Sequence, residues 1–267
     1  MAGYHLMILQ TKNLTLQYPG KLLCRDLNLT VNSGECWAVL GQNGCGKTTL
    51  IHVLGGLRRA DGGSADSVTV AGKASQTWPR RELARKLGIM LQEESGEFWG
   101  NVREYVLLGR HPHVKNLFGW GAVDHDIAIR AMERMELANF SHRSLDTLSG
   151  GERQRVRIAL LLAQSPQCYL LDEPLQHLDL RYQLFAMMLF KELAAKGSAV
   201  MIVLHDITWV SRYCDHVLML FENGRVLAGS MGKLLTRDNL EELYQCSLDE
   251  FGVKVLRLPV PSTVLGV

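Results

Sequence analysis

A continuous apolar run, Cys36-Trp37-Ala38-Val39-Leu40, passes directly into Gly41-Gln42-Asn43-Gly44-Cys45-Gly46-Lys47-Thr48, after which Leu50, Ile51, Val53, Leu54 and Leu57 recur at helical spacing. An unbroken apolar strand is one covered on both faces, so it belongs inside a sheet. Strand, glycine-rich turn and helix in that order point to an α/β fold with a central parallel sheet. Chemistry comes with the turn. Its spacing is G-x-x-x-x-G-K followed by a hydroxyl residue, in which glycines let backbone N–H groups face phosphate oxygens and the helix presents its positive end. Lys47 then neutralises the outer phosphates, and the Thr48 hydroxyl suits Mg²⁺.

Two more apolar strands end in polar residues. Cys168-Tyr169-Leu170-Leu171 leads to Asp172-Glu173-Pro174, and Ala199 to Leu204 leads to His205. A carboxylate at the end of a buried strand is costly without a cation or strong donors, and Mg²⁺ shared between Asp172 and Thr48 meets that need. Glu173 is then placed to polarise an attacking water as a general base. Without such a setting, an Asp-Glu pair is an ordinary helix cap or surface pair, His205 a satisfied structural histidine, and Gln92, after Gly88-Ile89-Met90-Leu91, an unremarked strand end. Leu148-Ser149-Gly150-Gly151-Glu152 opens a helical run and offers a second anion site of the same kind; by itself it reads equally as a serine N-cap with flexible glycines.

Around these motifs, alternation in Leu14-Thr15-Leu16-Gln17 and Leu27-Asn28-Leu29-Thr30-Val31 predicts two half-buried antiparallel strands joined through Tyr18-Pro19-Gly20. Asn223-Gly224, between Val217-Leu218-Met219-Leu220 and Arg225-Val226-Leu227, predicts a hairpin. Helical patterns cover Val102 to Leu108, Asp126 to Leu137, Glu152 to Ala163 and Leu180 to Lys196. With no strand evident between about residues 93 and 164, that stretch reads as a helical subdomain inserted into one domain spanning 1–267.

At 267 residues the chain can bury a sizeable core, and its net charge of +2 gives no global footprint for nucleic acid. The longest apolar runs are strand-sized, far below the roughly 20 residues that cross a bilayer. The first residues lack the basic and apolar regions of a secretory signal. Cys24, Cys36, Cys45, Cys168, Cys214 and Cys246 form no CxxC pair, so structural thiols in a reduced compartment, the cytosol, are expected.

Taken in order, these residues resemble the ATP-binding subunit of an ABC transporter over nearly the whole chain. On that resemblance Gly41 to Thr48 is the Walker A loop, Asp172 ends Walker B, Leu148 to Glu152 is the signature, Gln92 the Q-loop glutamine, His205 the switch histidine and Leu178-Asp179 the D-loop. It implies ATP and Mg²⁺ as ligands, a purine stacked on Tyr18, and nucleotide contacts from Gly41 through Thr49 and from Ser149, Gly150 and Gly151. Magnesium would fall to Thr48, Gln92 and Asp172, and catalysis to Lys47, Gln92, Glu173 and His205. It further implies a head-to-tail dimer in which each ATP lies between one chain's Walker motifs and the other's signature. The implied setting is the cytoplasmic face of the inner membrane, with a separate permease and, indirectly, a periplasmic or extracellular substrate-binding protein.

Val102-Arg103-Glu104-Tyr105-Val106 with Gly109-Arg110-His111-Pro112-His113, and His205-Asp206 with Arg212-Tyr213-Cys214-Asp215, are similar to importers of iron–siderophore, haem and cobalamin. Arg110, His111 and His113 read otherwise as a solvated basic loop. Leu175, Gln176 and Trp99 depart from the pattern, Gln176 standing where a small hydroxyl residue is usual; these departures bear on D-loop communication and permease contact rather than on the phosphates. Other importers and DNA-maintenance ATPases share the motifs, but the latter separate them with long coiled coils, and Thr48 to Leu148 carries no sustained heptads.

Overall fold

Alternate side chains of the strand that carries the glycine-rich turn pack against opposite faces of one sheet, which is why its sequence is apolar throughout. The computed structural model describes residues 6–18, 20–59, 67–92, 98–114 and 119–247. In chain order the elements are β1 (Met7–Tyr18), β2 (Lys21–Asn32), β3 (Cys36–Gly41), α1 (Lys47–Leu54), β4 (Val68–Val70), β5 (Lys73–Ala74), α2 (Arg80–Lys86), β6 (Leu87–Met90), α3 (Val102–Leu108) and α4 (Ala122–Arg134). There follow α5 (Gly150–Gln164), β7 (Cys168–Leu171), α6 (Leu180–Ala195), β8 (Ala199–Val203), α7 (Ile207–Tyr213), β9 (His216–Leu220), β10 (Val226–Ser230), α8 (Met231–Leu234) and α9 (Arg237–Tyr244).

The six-stranded sheet runs β10-β9-β3-β8-β7-β6, parallel except for β10. Cys36, Ala38 and Leu40 of β3 join one core with Tyr169, Leu171, Val200, Ile202 and the apolar faces of α3, α4, α5 and α6. Trp37 and Val39 join the other, with Leu170, Met201, β1, β2 and α1. Full burial of such side chains contributes about 1.5–3 kcal/mol each, so the sheet is fixed from both sides.

β1 and β2 pair antiparallel from Met7↔Asn32 to Tyr18↔Lys21 and form a second sheet, β2-β1-β4-β5. They run well beyond the alternating segments visible in the sequence. Register shifts and the left-handed backbones of Asn13 and Asp26 interrupt the alternation and hide the rest. The expected link through Tyr18-Pro19-Gly20 includes Pro19, which lies outside the described residues. β9 and β10 form the expected hairpin, with Gly224 at φ 78°.

The helical stretch is α3, α4 and α5, packed on one another, with only the isolated bridge Asn101↔Ser144 among its described residues. α4 starts at Ala122, four residues before the expected Asp126, because the Asp124 carboxylate accepts from the Gly121 N–H and closes the helix start; it ends at Arg134, short of the expected Leu137. Asn101 caps α3 through a reciprocal pair with Glu104. Arg110 is not part of a solvated loop. It is 7% exposed, pairs with Asp124 at 3.0 Å and donates to the Ala163 carbonyl, while His113 bonds the Gln164 carbonyl at 2.9 Å. His111 alone of the three is exposed.

Candidate active site

In a parallel sheet the carboxyl ends of the strands share one edge, and ligands settle in the crevice there. The loop after β3, Gln92 after β6, Asp172 and Glu173 after β7 and His205 after β8 all stand along that edge. Since β7 lies between β8 and β6, an acid leaving β7 reaches His205 on one side and Gln92 on the other.

The loop is built by close packing. A Cβ on Gly41 would come within 2.5 Å of the Cys45 sulfur and 2.6 Å of the Leu220 carbonyl oxygen, so only glycine fits. Gly46, at φ 107°, leads into α1. Lys47 is 6% exposed and donates to the carbonyls of Gly41 and Gln42, each at 2.9 Å. An ammonium has three N–H donors, so one is left for an incoming acceptor. Lys21 braces the loop from β2 through the Gly44 carbonyl at 3.0 Å. The Gln42 side chain turns away to the Leu243 carbonyl of α9, and the Cys45 thiol is buried, its pKa raised by desolvation.

Asp172 is 1% exposed, and neither carboxylate oxygen has a hydrogen-bond partner. Burial pushes its pKa above the usual carboxylate range and the charge of Glu173 adds to the rise. The Thr48 hydroxyl, Lys47 and His52 favour the ionised form, though Thr48 completes no full hydrogen bond to it. Two orphaned carboxylate oxygens beside a hydroxyl make an oxygen donor set suited to a hard divalent cation such as Mg²⁺. Glu173 sits in the left-handed region at φ 50°. Its Oε1 lies 2.7 Å from His205 Nε2, and its Oε2 accepts from Gln92 Nε2 at 3.2 Å and from the Gln176 side-chain amide.

The loop and Glu173 line one cavity of about 730 Å³, together with Tyr18, Lys21, Leu23, Thr49, Gln92, Gln176 and His205. The Arg58 guanidinium lies over the Tyr18 ring, 4.4 Å from its centroid, and donates to its hydroxyl. Ser149, Gly150 and Gly151 do not line that cavity. Ser149 caps α5 reciprocally with Glu152, and the two glycines pack on His177, where a Cβ on Gly151 would meet the His177 carbonyl oxygen at 2.9 Å.

A family model for ABC transporters matches residues 24–176. The chain belongs to the ABC transporter family. It is 33% identical over 256 residues to the ferric enterobactin transport ATP-binding protein FepC of Escherichia coli, covering 95% of this chain and 93% of that one. With the hemin import ATP-binding protein HmuV of Gloeobacter violaceus it shares 37% identity over 241 residues, covering 88% and 86%. Among solved structures, a chain described as of a metal-chelate type ABC transporter, in an inward-facing conformation, aligns with TM-score 0.76 and 30% identity over 90% of both chains. Membership makes this chain an ATP-hydrolysing subunit.

Of the residues singled out in the sequence, the glycine-rich loop, Asp172, Glu173, Gln92, His205 and Tyr18 come together, and Ser149, Gly150 and Gly151 stand apart from them. Contacts that spacing did not announce also shape the site. Lys21 and Leu23 arrive from β2, a strand with no motif of its own. Gln176 reaches back onto Glu173, so that departure touches the acid itself. Helix α5 is also tied to the segments that carry Glu173 and Gln92: buried Gln154 donates to the Pro174 carbonyl at 2.9 Å, and Arg157 donates to the carbonyls of Leu91 and Gln92. Trp99, the third departure, is 89% exposed. No helix among the described residues is long and apolar enough to cross a membrane.

Proposed function

We propose that this chain hydrolyses ATP to power uptake of a metal chelate, an iron–siderophore, haem or cobalamin, through a separate membrane permease. The observation that carries the catalytic part is the Glu173 carboxylate, held by His205 and Gln92 beside the buried, unpartnered Asp172. The phosphates of ATP lie against Gly41 to Thr49, with Lys47 among their outer oxygens and adenine on Tyr18. Thr48, Asp172 and Gln92 would hold Mg²⁺, which when bound offsets the charge spread over the phosphates. Glu173 orients the attacking water and takes its proton; His205 keeps the carboxylate turned toward it.

Residues 1–267 act as one cassette, with 93–164 as its helical insert. The separation of the signature from the loop cavity supports a site completed by a second copy, docked head to tail, whose Ser149, Gly150 and Gly151 close over the nucleotide. ATP then joins the two chains, and hydrolysis releases them. The pair works on the cytoplasmic face of the cell membrane, with an extracytoplasmic binding protein delivering the chelate and nucleic acid playing no part. The chelate class is supported by the relatives, named for enterobactin and hemin, and by the metal-chelate type neighbour.

Uptake tests the reading. Deleting the gene for this chain is expected to abolish accumulation of one of labelled ferric siderophore, haem or cobalamin, with recovery on complementation by the wild-type gene and not by Glu173→Gln. Undiminished uptake of all three would overturn the substrate class.

A further inference from the structure

We propose that Gln176 is a positioning residue for the hydrolytic acid: its side-chain amide holds Glu173 Oε2 and keeps the carboxylate oriented when Gln92 leaves it for the nucleotide's metal ion. The assignment rests on the ATPase reading above and adds to it a residue that occupies the place of a small hydroxyl side chain in the family pattern.

Glu173 Oε2 has two donors, Gln92 Nε2 at 3.2 Å and the Gln176 amide, while Oε1 faces His205. Gln92 is also needed elsewhere, since the same amide group is assigned to Mg²⁺. Gln92 would hold Mg²⁺ by its side-chain carbonyl oxygen, and turning that oxygen to the ion swings the Nε2 donor away from Glu173. Gln176 carries no such competing role. It lines the same cavity, next to the acid, and stands on a segment that is fixed in place.

The segment is pinned from three sides. Its own turn closes through Gln176 N–H to the Glu173 carbonyl at 3.2 Å and Leu178 N–H to the Leu175 carbonyl at 3.3 Å. From α5, Gln154 takes the Pro174 carbonyl; from α6, Gln183 donates to the carbonyls of Leu178 at 3.0 Å and Leu175 at 3.4 Å. Leu175 and Leu178 are buried on either side, and the left-handed residues Glu173 and His177 bracket the turn. Such a backbone leaves Gln176 little freedom except in its side chain, and the side chain is spent on Glu173. Reach explains the residue type. A serine hydroxyl sits two bonds closer to the backbone than a glutamine amide nitrogen and cannot span from this turn to the carboxylate. Asparagine falls one bond short. Glutamate has the length but brings an acceptor where a donor is needed, so it repels Glu173 until it is protonated.

The test compares Gln176→Ser and Gln176→Glu with wild type in Mg²⁺-dependent ATP hydrolysis by the full-length protein, with ATP binding and thermal midpoint measured alongside. Loss of one hydrogen bond to a charged group predicts that Gln176→Ser lowers kcat about tenfold, with KM for ATP within about twofold. Gln176→Glu keeps the size of the side chain, so its thermal midpoint stays near wild type. Its kcat relative to wild type is lowest near about pH 8 and climbs as pH falls toward about 6, because protonating the introduced carboxyl restores a donor. Wild-type turnover with both variants within about twofold of it and a flat ratio against pH would overturn the assignment. A wild-type protein that binds ATP and hydrolyses none at any concentration or pH would instead overturn the ATPase reading on which it stands.

Discussion

Replacing Asp172 by asparagine should make the nucleotide-free protein more stable and ruin it as a magnesium site. The wild-type carboxyl is 1% exposed with both oxygens unpartnered, and burial raises its pKa, followed among the raising causes by the charge of Glu173. A carboxyl whose folded pKa is raised binds its proton more tightly in the folded state. Its stabilising contribution is therefore complete below the unfolded pKa and is lost as pH rises through the folded one. Above that point the chain carries a buried charge whose oxygens have no hydrogen-bond partner. An unsatisfied buried polar group costs about 1–3 kcal/mol, more when charged, and an asparagine amide retains part of that cost, so the net gain from Asp172→Asn is about 1–2 kcal/mol. In a chain of this size 1 kcal/mol moves Tm by about 2–4 °C, giving a rise of about 2–8 °C at neutral to alkaline pH. Calorimetry in EDTA without nucleotide reads it, and the gap should close as pH falls through the folded pKa. Adding Mg²⁺ and ATP should reverse the ranking, because only the carboxylate gains a cation. A variant no more stable than wild type at pH 8 in EDTA would refute the argument that Asp172 is held unpaired for a metal.

Gly109→Ala should destabilise the contact of α3 with α5, since the added Cβ would meet the Leu160 carbonyl oxygen at 2.3 Å and the Gln164 nitrogen at 3.1 Å. A loss of about 1–3 kcal/mol in urea unfolding is expected for such overpacking, and an unchanged midpoint would contradict the packing. Ser149→Arg should leave ATP binding to the monomer near wild type while Mg²⁺-dependent turnover fails, because Ser149 lies outside the loop cavity. Normal turnover that rises with protein concentration as in wild type would contradict the shared site.

Much of the fold was legible because its signals are local. Cys36 to Leu40 is apolar at every position, and that is what two packed faces require. The loop glycines and Asn223-Gly224 state their backbone needs in their residue types. What stayed hidden depends on reach across the fold. Gln92 and Gln176 are 84 positions apart in sequence and meet on one carboxylate oxygen, which no spacing rule foretells. Arg110 and His113 carry the residue types of a solvated loop, yet Asp124 and the end of α5 satisfy them. Lys21 sits at the start of a strand with nothing to mark it, and its contact with the Gly44 carbonyl, 23 positions away, appears only in three dimensions. The signature was readable as a helix N-cap, and within one chain it is that; its separation from the cavity is visible only in three dimensions.

The central claim is that one chain holds two half-sites and that Glu173 ends the life of the nucleotide joining them. Light scattering on Glu173→Gln, with ATP and Mg²⁺ added, tests it most directly. Losing the general base should lower hydrolysis by about 10²–10⁴-fold, so ATP persists and the protein should run at twice its nucleotide-free mass. A Glu173→Gln protein that stays monomeric with bound ATP, or turns over ATP as wild type does, would contradict the account.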